Sequence, residues 1–312
     1  MTSNTESNQV IIGTRGSALA LWQANYTKDA LTQAHPDIKV SLQIIKTKGD
    51  KILDQALSKI GDKGLFTKEI ETALLDGDID LAVHSHKDLP TQSPEGLVIG
   101  AVPPRANPSD VLITKGATSL DDLNQNATIL TGSLRRAAQL KRLRPDIMCQ
   151  DIRGNIQTRL EKFQQSDAQA FMMATAALDR LALAEMQTIE LAPTTFIPAC
   201  AQGALAIQVR QNDDRITKII APLNDTPTSI TVSAERSFLA YLEGGCQAPI
   251  GAYCYFDKDQ ITLTGMVASL DGTQFICDTI KGNPSNARDL GTQLAKQLLA
   301  SGANDILNNL NQ

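Results

Sequence analysis

Five reactive side chains follow one another in the segment from His84 to Asp88: two imidazoles, a hydroxyl, an ammonium and a carboxylate. The residues before them, 81–83, form a short apolar run that is typical of a buried parallel strand. Pro90 prevents a helix from continuing through the segment. Ligands of open α/β sheets bind beyond the carboxyl ends of the strands. We therefore interpret Asp88 as a candidate catalytic carboxylate, with an ion pair to Lys87 or a turn as its alternative role.

His84 and His86 would share one face of such a strand and could together ligate a metal ion. A zinc site takes three or four protein ligands, and the only other histidine, His35, follows a predicted helix. None of the five cysteines forms a CxxC pair. We therefore expect no metal and assign the two imidazoles to hydrogen bonding or core packing.

Basic residues are concentrated between positions 135 and 159, where seven arginines and lysines stand against two aspartates. Arg135 and Arg136 fall in the first turn of a predicted helix, where cations oppose the helix dipole. That placement becomes favourable when an anion binds, because arginine binds carboxylates and phosphates through two hydrogen bonds. Arg15 likewise stands between a predicted strand and the helix that follows it. The alternative is a solvated basic helix face. A nucleic-acid site is not expected, because aromatic residues make up only 4% of the chain and no known binding module is present.

Cys246 follows two glycines and precedes Gln247-Ala248-Pro249, so we expect it in a loop. A loop thiol with little steric cover can act as a nucleophile. The more common role of a free cysteine is that of a buried apolar residue, which we assign to the other four. An odd number of cysteines without CxxC spacing argues for a reducing, cytoplasmic compartment.

The composition is that of an ordinary globular protein: 312 residues, 42% hydrophobic and 20% charged, with a net charge of −5. This length accommodates two or three domains. The net charge gives no general attraction to nucleic acid or anionic membranes, and no apolar run is long enough for a membrane span.

Two stretches repeat the same plan of strand, Gly/Ser turn and helix. In the first, a strand at 9–14 precedes a helix that begins after the N-cap Ser17 and ends at His35-Pro36. In the second, a strand at 128–131 leads through Gly132-Ser133 into a helix from Leu134. The repeat and the Pro-rich segment 103–108 predict two doubly wound α/β domains with a cleft between them.

Other segments complete the prediction. A helix at 229–242, three strands and two final helices predict a small α+β domain at the C-terminus, with a hairpin turn at Asp271-Gly272. The remaining predicted strands are 40–45, 97–102, 111–114, 168–174, 204–209, 250–256, 261–269 and 273–280; the remaining helices are 67–75, 176–184, 287–300 and 303–310. A capping box is expected at 119–122.

Taken together, these residues resemble the porphobilinogen deaminase family, and the resemblance covers nearly the whole chain. The matching stretches are TRGSALALWQ at 14–23, TKGD at 47–50, GLFTKE at 64–69, AVHSHKD at 82–88, SLRR at 133–136, RGN at 153–155, TRL at 158–160 and EGGCQAPIG at 243–251. The resemblance implies two domains like those of periplasmic binding proteins plus a C-terminal α+β domain. The implied boundaries are 1–103 with 204–222, then 104–203, then 223–312.

The resemblance also implies the activity. A dipyrromethane cofactor, made from the substrate and held by a thioether to Cys246, would prime the head-to-tail condensation of four porphobilinogens. Ammonia leaves at each step, and hydrolysis releases hydroxymethylbilane for porphyrin and haem synthesis. A monomeric cytoplasmic transferase is implied.

Particular residues receive roles by the same resemblance. Asp88 would be catalytic. Cofactor contacts would come from Lys87, Ser85, Thr131, Ser133, Arg135, Arg136, Asp88 and Gly154. Substrate contacts would come from Arg15, Ser17, Gln23, Lys59, Lys63, Phe66, Arg153, Arg159, Arg180 and Gln202. The segment 59–66 would close over the cleft.

Four positions depart from the pattern of the family. Leu130 and Gly132 lie where Gly-Thr-Ser-Ser is common, Ala201 replaces a glycine, and Gln208 replaces an acidic residue. These departures make a catalytically weakened relative that keeps the cofactor one alternative to the main hypothesis. A second alternative is a non-catalytic small-molecule-binding protein of the same fold.

Overall fold

A computed structural model describes residues 8–51, 66–183, 185–242 and 248–310. These residues divide into two compact units. The first contains residues 8–51, 66–105 and 204–229, and the second contains the remaining described residues. The first unit carries one β-sheet and the second carries two. The three-domain boundaries given above stay a prediction.

The first unit is built on a five-stranded sheet with the order β2-β1-β3-β10-β4. Its strands are β1 (Gln9–Thr14), β2 (Lys39–Ile44), β3 (Leu81–Ser85), β4 (Leu97–Ala101) and β10 (Leu205–Arg210). Strands β1, β2 and β3 run parallel, whereas β10 runs antiparallel to both β3 and β4. The parallel prediction for β3 is thus correct on its β1 side only.

Helices cover both faces of this sheet. They are α1 (Ala18–Ala34), α2 (Lys48–Lys51), α3 (Lys68–Asp76) and α7 (Asp214–Ile220). One core joins alternate residues of β1 and β3 to Leu31 of α1 and Ile216 of α7. A second core joins residues on the opposite face of the sheet to Ile70 and Leu74 of α3. Because side chains of a strand alternate between faces, the sheet is packed on both sides, as a doubly wound domain requires.

The second unit repeats this plan. Its larger sheet has the order β7-β6-β8-β5-β9. The strands are β5 (Asp110–Thr114), β6 (Thr128–Leu130), β7 (Met148–Gln150), β8 (Ala170–Ala174) and β9 (Thr188–Leu191). The helices are α4 (Leu134–Leu143), α5 (Ile156–Gln165) and α6 (Thr175–Arg180). In both sheets the fourth position holds an antiparallel strand, β10 in the first and β5 in the second.

A small antiparallel sheet forms the C-terminal part of the second unit. It pairs β11 (Ile250–Asp257), β12 (Gln260–Ala268) and β13 (Phe275–Gly282). The helices there are α8 (Thr226–Tyr241), which begins in the first unit, α9 (Ala287–Leu298) and α10 (Asn304–Leu310). Phe238, Leu263 and Leu294 meet in the core. The predicted class, two doubly wound α/β domains and a small α+β domain, is confirmed.

Helix α1 shows where the sequence pattern misleads. Its large apolar residues Trp22 and Tyr26 are each 37% exposed and stack on one another. The buried face holds Gln23, Ala24, Thr27 and Leu31. Polar Gln23 and Thr27 are tolerated because each makes a hydrogen bond, to Ser85 and to the Gln23 carbonyl respectively.

Five helices and strands were not predicted: α2, β7, α5, β9 and α7. The capping box is confirmed, since Ser119 and Asp122 cap one another's backbone. Among the residues that the structure describes, no helix has both the length and the apolar character that crossing a bilayer requires. In the same part of the chain, no group of three or more His, Cys, Asp or Glu side chains is arranged to hold a metal ion.

Candidate functional site

Asp88 lies just beyond the carboxyl end of β3, where the sequence placed it. The strand ends at Ser85, and His86–Asp88 form one turn of 3-10 helix. The side chain of Asp88 is exposed, and it has no ion-pair partner among the described residues. The alternative of an ion pair with Lys87 therefore has no support in this structure.

The two histidines do not share a strand face, so that expectation was wrong. His84 is in β3, whereas His86 begins the 3-10 turn, where its backbone N–H donates to the carbonyl of Ala204. Both rings are buried. The imidazole of His84 contacts Gln208 rather than a second ligand residue, with 3.1 Å between Nε2 and Oε1.

A buried polar chain continues from Gln208. Its amide Nε2 donates to Glu71 Oε1 at 3.2 Å, and the hydroxyl of Thr67 donates to Glu71 Oε2 at 3.3 Å. Burial, and to a smaller extent the charge of Arg15, lower the pKa of His84 to about 4, although the hydrogen bond to Gln208 acts in the opposite direction. His84 is therefore neutral at pH 7.

The loop after β1 carries the remaining candidates of the first unit. The guanidinium of Arg15 lies 4.3 Å from the ring centre of Phe66, a cation–π geometry. Ser17 caps α1 by accepting from the N–H of Ala20. Gln23 donates to the hydroxyl of Ser85 at 2.7 Å, so these two predicted ligand contacts are bonded to each other.

In the second unit, Arg135 and Arg136 converge on one carboxylate. Asp110, fully buried at the start of β5, accepts from Arg135 Nη1 at 2.7 Å and from Arg136 Nε at 2.8 Å. Burial alone would raise the pKa of Asp110, but the two guanidiniums outweigh it and hold that pKa well below its usual range. Two cations face one anion, so the group keeps a net positive charge.

Backbone groups and one amide complete the surroundings of this pair. Arg135 Nη1 also donates to the carbonyl of Ile197, and Arg136 Nη1 to that of Met172. The buried amide of Gln202 donates to Asp110 Oδ1 at 3.0 Å and to the carbonyl of Pro108 at 2.8 Å. Gln202 is therefore bonded to the carboxylate that holds both arginines.

Residues at the amino end of α4 lie beside the pair. Ser133 caps this helix by accepting from the N–H of Arg136, and the hydroxyl of the buried Thr131 accepts from the N–H of Ser133. A Cβ added to Gly132 would come within 2.9 Å of Asp151 Oδ1, so the carboxylate occupies the space that a serine here would need.

The other predicted arginines have separate neighbours. Arg153 Nε donates to Asp151 Oδ2 at 2.8 Å, beside Gly154, whose φ of +117° favours glycine. Arg159 lies over the ring of Phe171 at 5.8 Å. Arg180 Nη2 donates to the carbonyl of Gly203 at 2.8 Å.

Three predicted site residues lie outside the described residues: Cys246, Lys59 and Lys63. The same holds for the predicted lid segment except Phe66, and for the two glycines that precede Cys246.

Comparison with known proteins gives the family. Residues 10–218 match the model described as porphobilinogen deaminase, dipyromethane cofactor binding domain. Residues 229–300 match the porphobilinogen deaminase C-terminal domain. The chain belongs to the porphobilinogen deaminase family.

Individual relatives agree with the family models. A porphobilinogen deaminase of Maridesulfovibrio salexigens is 50% identical over 299 residues, which cover 96% of this chain and 97% of that protein. One of Nitratidesulfovibrio vulgaris strain Hildenborough is 50% identical over 300 residues, with 96% and 95% covered. Among solved structures, the BenM effector binding domain with benzoate has a TM-score of 0.43 at 16% identity, covering 75% of this chain and 92% of that chain.

Sequence reasoning missed Asp110 and the chain from His84 to Glu71. An aspartate directly before the apolar run 111–113 was a signal that could have been used, because a charge at the edge of a buried strand needs a partner. Glu71 and Gln208 gave no comparable signal, since they are 137 positions apart and meet only in the folded sheet.

Proposed function

We propose that this chain is a transferase of tetrapyrrole biosynthesis. It condenses four porphobilinogen molecules head to tail on a covalent dipyrromethane primer, releases ammonia at each step and frees hydroxymethylbilane by hydrolysis. The observation that carries the proposal is the match of both family domains, together with 50% identity to a porphobilinogen deaminase over 96% of the chain.

The charges of the second unit suit the cofactor. A dipyrromethane carries acetate and propionate groups, and the Arg135–Arg136–Asp110 group has one positive charge in excess. The nearby helix start at Ser133 adds a positive dipole end. We therefore assign Arg135, Arg136, Thr131, Ser133 and Gly154 to holding cofactor carboxylates. When bound, the cofactor supplies the pyrrole carbon to which the substrate is joined.

The first unit supplies the acid–base group. Loss of ammonia from porphobilinogen develops positive charge next to its pyrrole ring. The exposed carboxylate of Asp88 can stabilise that charge and exchange a proton with the pyrrole nitrogen. Arg15 offers a cation for a substrate carboxylate, as do Arg153 and Arg159 in the second unit. Ser85, Lys87, Ser17, Gln23, Phe66 and Arg180 keep their predicted contact roles, as do Lys59 and Lys63.

The roles of Cys246 and of the primer are tested by intact mass. We expect the purified protein to be heavier than its sequence by two linked pyrrole units, and Cys246→Ser to lose this excess. Cys254→Ser is a matched control, because Cys254 is buried and should leave the added mass unchanged. A folded protein with no added mass after exposure to porphobilinogen contradicts the proposal.

The role of Asp88 is tested by porphobilinogen consumption. We expect Asp88→Ala to keep the fold and the added mass but to lower kcat by about 10²–10⁴-fold, the usual contribution of a positioned acid–base group. Asp78→Ala, at another exposed aspartate of the same unit, serves as the control. Near-normal turnover in Asp88→Ala would rule out the assignment.

We also propose a cytoplasmic monomer, in keeping with an odd number of cysteines that lack CxxC spacing. Light scattering at working concentration should give one chain per particle. A stable dimer mass would contradict this part of the proposal alone.

A further inference from the structure

The end of β3 is held from both faces of its sheet. Successive strand residues point to opposite faces. On one face, Ser85 is bonded to Gln23 of α1 at 2.7 Å. On the other face, His84 is bonded to Gln208 of β10, which pairs with β3 in antiparallel register. The turn that carries Asp88 therefore begins from a strand end with a hydrogen bond on each side.

Glu71 decides which way the amide of Gln208 points. Its carboxylate is an acceptor, and Gln208 and Thr67 both donate to it. Rotating the amide by half a turn would place its carbonyl oxygen against the carboxylate, which is unfavourable in a buried site. The Oε1 atom of Gln208 must then face His84.

The direction of this amide determines the tautomer of His84. An oxygen acceptor facing Nε2 requires the proton on Nε2. Because the ring is neutral at pH 7, its Nδ1 atom carries no proton and is an acceptor. A neutral ring also adds no second cation next to Arg15.

We propose that Glu71 and Gln208 are positioning residues, which hold His84 as the neutral Nε2–H tautomer and so fix the end of β3 that presents Asp88. This inference rests on the proposed function for its catalytic consequence, whereas the tautomer itself does not depend on it. Among the described residues, Arg15 from the β1–α1 loop acts on the charge of His84, and Glu71 of α3 lies beyond Gln208. Residues 205–208 of β10 include no titratable side chain.

The tautomer can be observed directly in the complete protein carrying its cofactor. With isotope-labelled histidine, a long-range proton–nitrogen correlation spectrum separates protonated from unprotonated ring nitrogens. The chain has only three histidines, so His35→Gln and His86→Gln assign the signals. We expect the His84 signals to show the Nε2–H form and to stay unchanged between about pH 5 and pH 8. A proton on Nδ1, or titration within that range, overturns the inference.

Two variants test the chain of bonds. Glu71→Gln removes the fixed acceptor, so His84 should populate both tautomers and kcat should fall about tenfold, with little change in KM. Glu69→Gln removes the same charge from the same helix and should change neither. Gln208→Glu should raise the pKa of His84 by about 1 to 3 pH units through the added carboxylate.

The outcomes separate the two proposals. If Glu71→Gln keeps the wild-type tautomer and kcat, the positioning role is wrong. If Glu71→Gln fails to fold, the wild-type spectrum still decides the tautomer, and the Gln208→Glu titration tests the contact between residue 208 and His84. A protein with the expected tautomer that consumes no porphobilinogen contradicts the proposed function and leaves this inference supported.

Discussion

Asp110 is the buried carboxylate that pairs with Arg135 and Arg136 in the second unit. It is fully buried and accepts hydrogen bonds from Arg135, Arg136 and Gln202. Removing one member of a buried ion group leaves the others unpaired in a medium that solvates them poorly. The two guanidiniums therefore depend on Asp110 for their position as well as for their stability.

Asp110→Asn should lower the free energy of unfolding by about 3–5 kcal/mol, because it removes the buried carboxylate that pairs with two buried cations. Urea denaturation measures the change. Asp151→Asn is the matched control: it also removes an arginine partner, but the Asp151 side chain is 51% exposed, so about 1 kcal/mol or less is expected. Similar small losses in both variants would show that burial does not amplify this pairing.

The same carboxylate predicts a dependence on pH. Burial opposes ionisation of Asp110, yet Arg135 and Arg136 hold its pKa below the ordinary value. Its stabilising contribution is then complete above the unfolded pKa of about 3.9 and is lost as the pH falls toward the folded pKa. Between about pH 4 and pH 2, wild-type protein should lose more stability than Asp110→Asn, each measured against its own value at pH 7. Parallel curves would contradict the shifted pKa.

The turn at 201–203 is held in place by hydrogen bonds to residues that are distant in sequence. Ala201 and Gly203 have left-handed backbone conformations, with φ of +63° and +86°. The N–H of Ala201 donates to the buried carboxylate of Glu235, and the carbonyl of Gly203 accepts from Ala106 and Arg180. The turn thereby connects α8 to the segment before β5.

The two positions should respond differently to substitution. A Cβ at Gly203 would lie 2.5 Å from the carbonyl oxygen of Ala106, so Gly203→Ala should cost at least about 2 kcal/mol of stability. At Ala201 the relief of left-handed strain in Ala201→Gly is offset by the lost methyl group and the flexibility of glycine, so a change within about 1 kcal/mol is expected. Thermal unfolding of both variants tests this contrast, and equal losses would contradict it.

Within the part of the chain that the structure describes, each hydrophobic core lies in one unit. Leu81 is fully buried in a core of the first unit and Leu263 in a core of the second. Either leucine changed to alanine should cost about 2–5 kcal/mol. Hydrogen exchange should accelerate in β1 and β3 for Leu81→Ala, and in β11 and β12 for Leu263→Ala. Equal acceleration in both units for either variant would show that they unfold together.

The sequence was sufficient for the elements whose signals are local. Strand β1, the Ser17 cap, α4 after its Gly132-Ser133 turn and the hairpin strands follow from apolar runs, turn residues and capping patterns. Short strands such as β7 and β9, with three and four residues, were missed because their partners lie far along the chain and their own residues are not strongly apolar.

The residues of the candidate site also divide into those that local sequence signals predicted and those that they did not. Asp88 and the arginine pair were found from residue type and from their place after a strand. Asp110 and the bonds from His84 to Glu71 were not, because they join residues that are distant in sequence. The packed face of α1 does not follow its large apolar residues, because two of its buried positions are polar and are stabilised by specific hydrogen bonds.

The strand order of the first sheet has a consequence for synthesis on the ribosome. Strand β10 lies between β3 and β4, yet residues 205–210 are made long after residue 85, whereas all five strands of the second large sheet lie within residues 110–191. At typical elongation rates, the edge of β3 that pairs with β10 stays unpaired for roughly ten seconds, until β10 has been synthesised. An unpaired edge invites association with other chains. The nascent chain is thus most vulnerable to aggregation before residue 210 emerges, and the second sheet can close before the first.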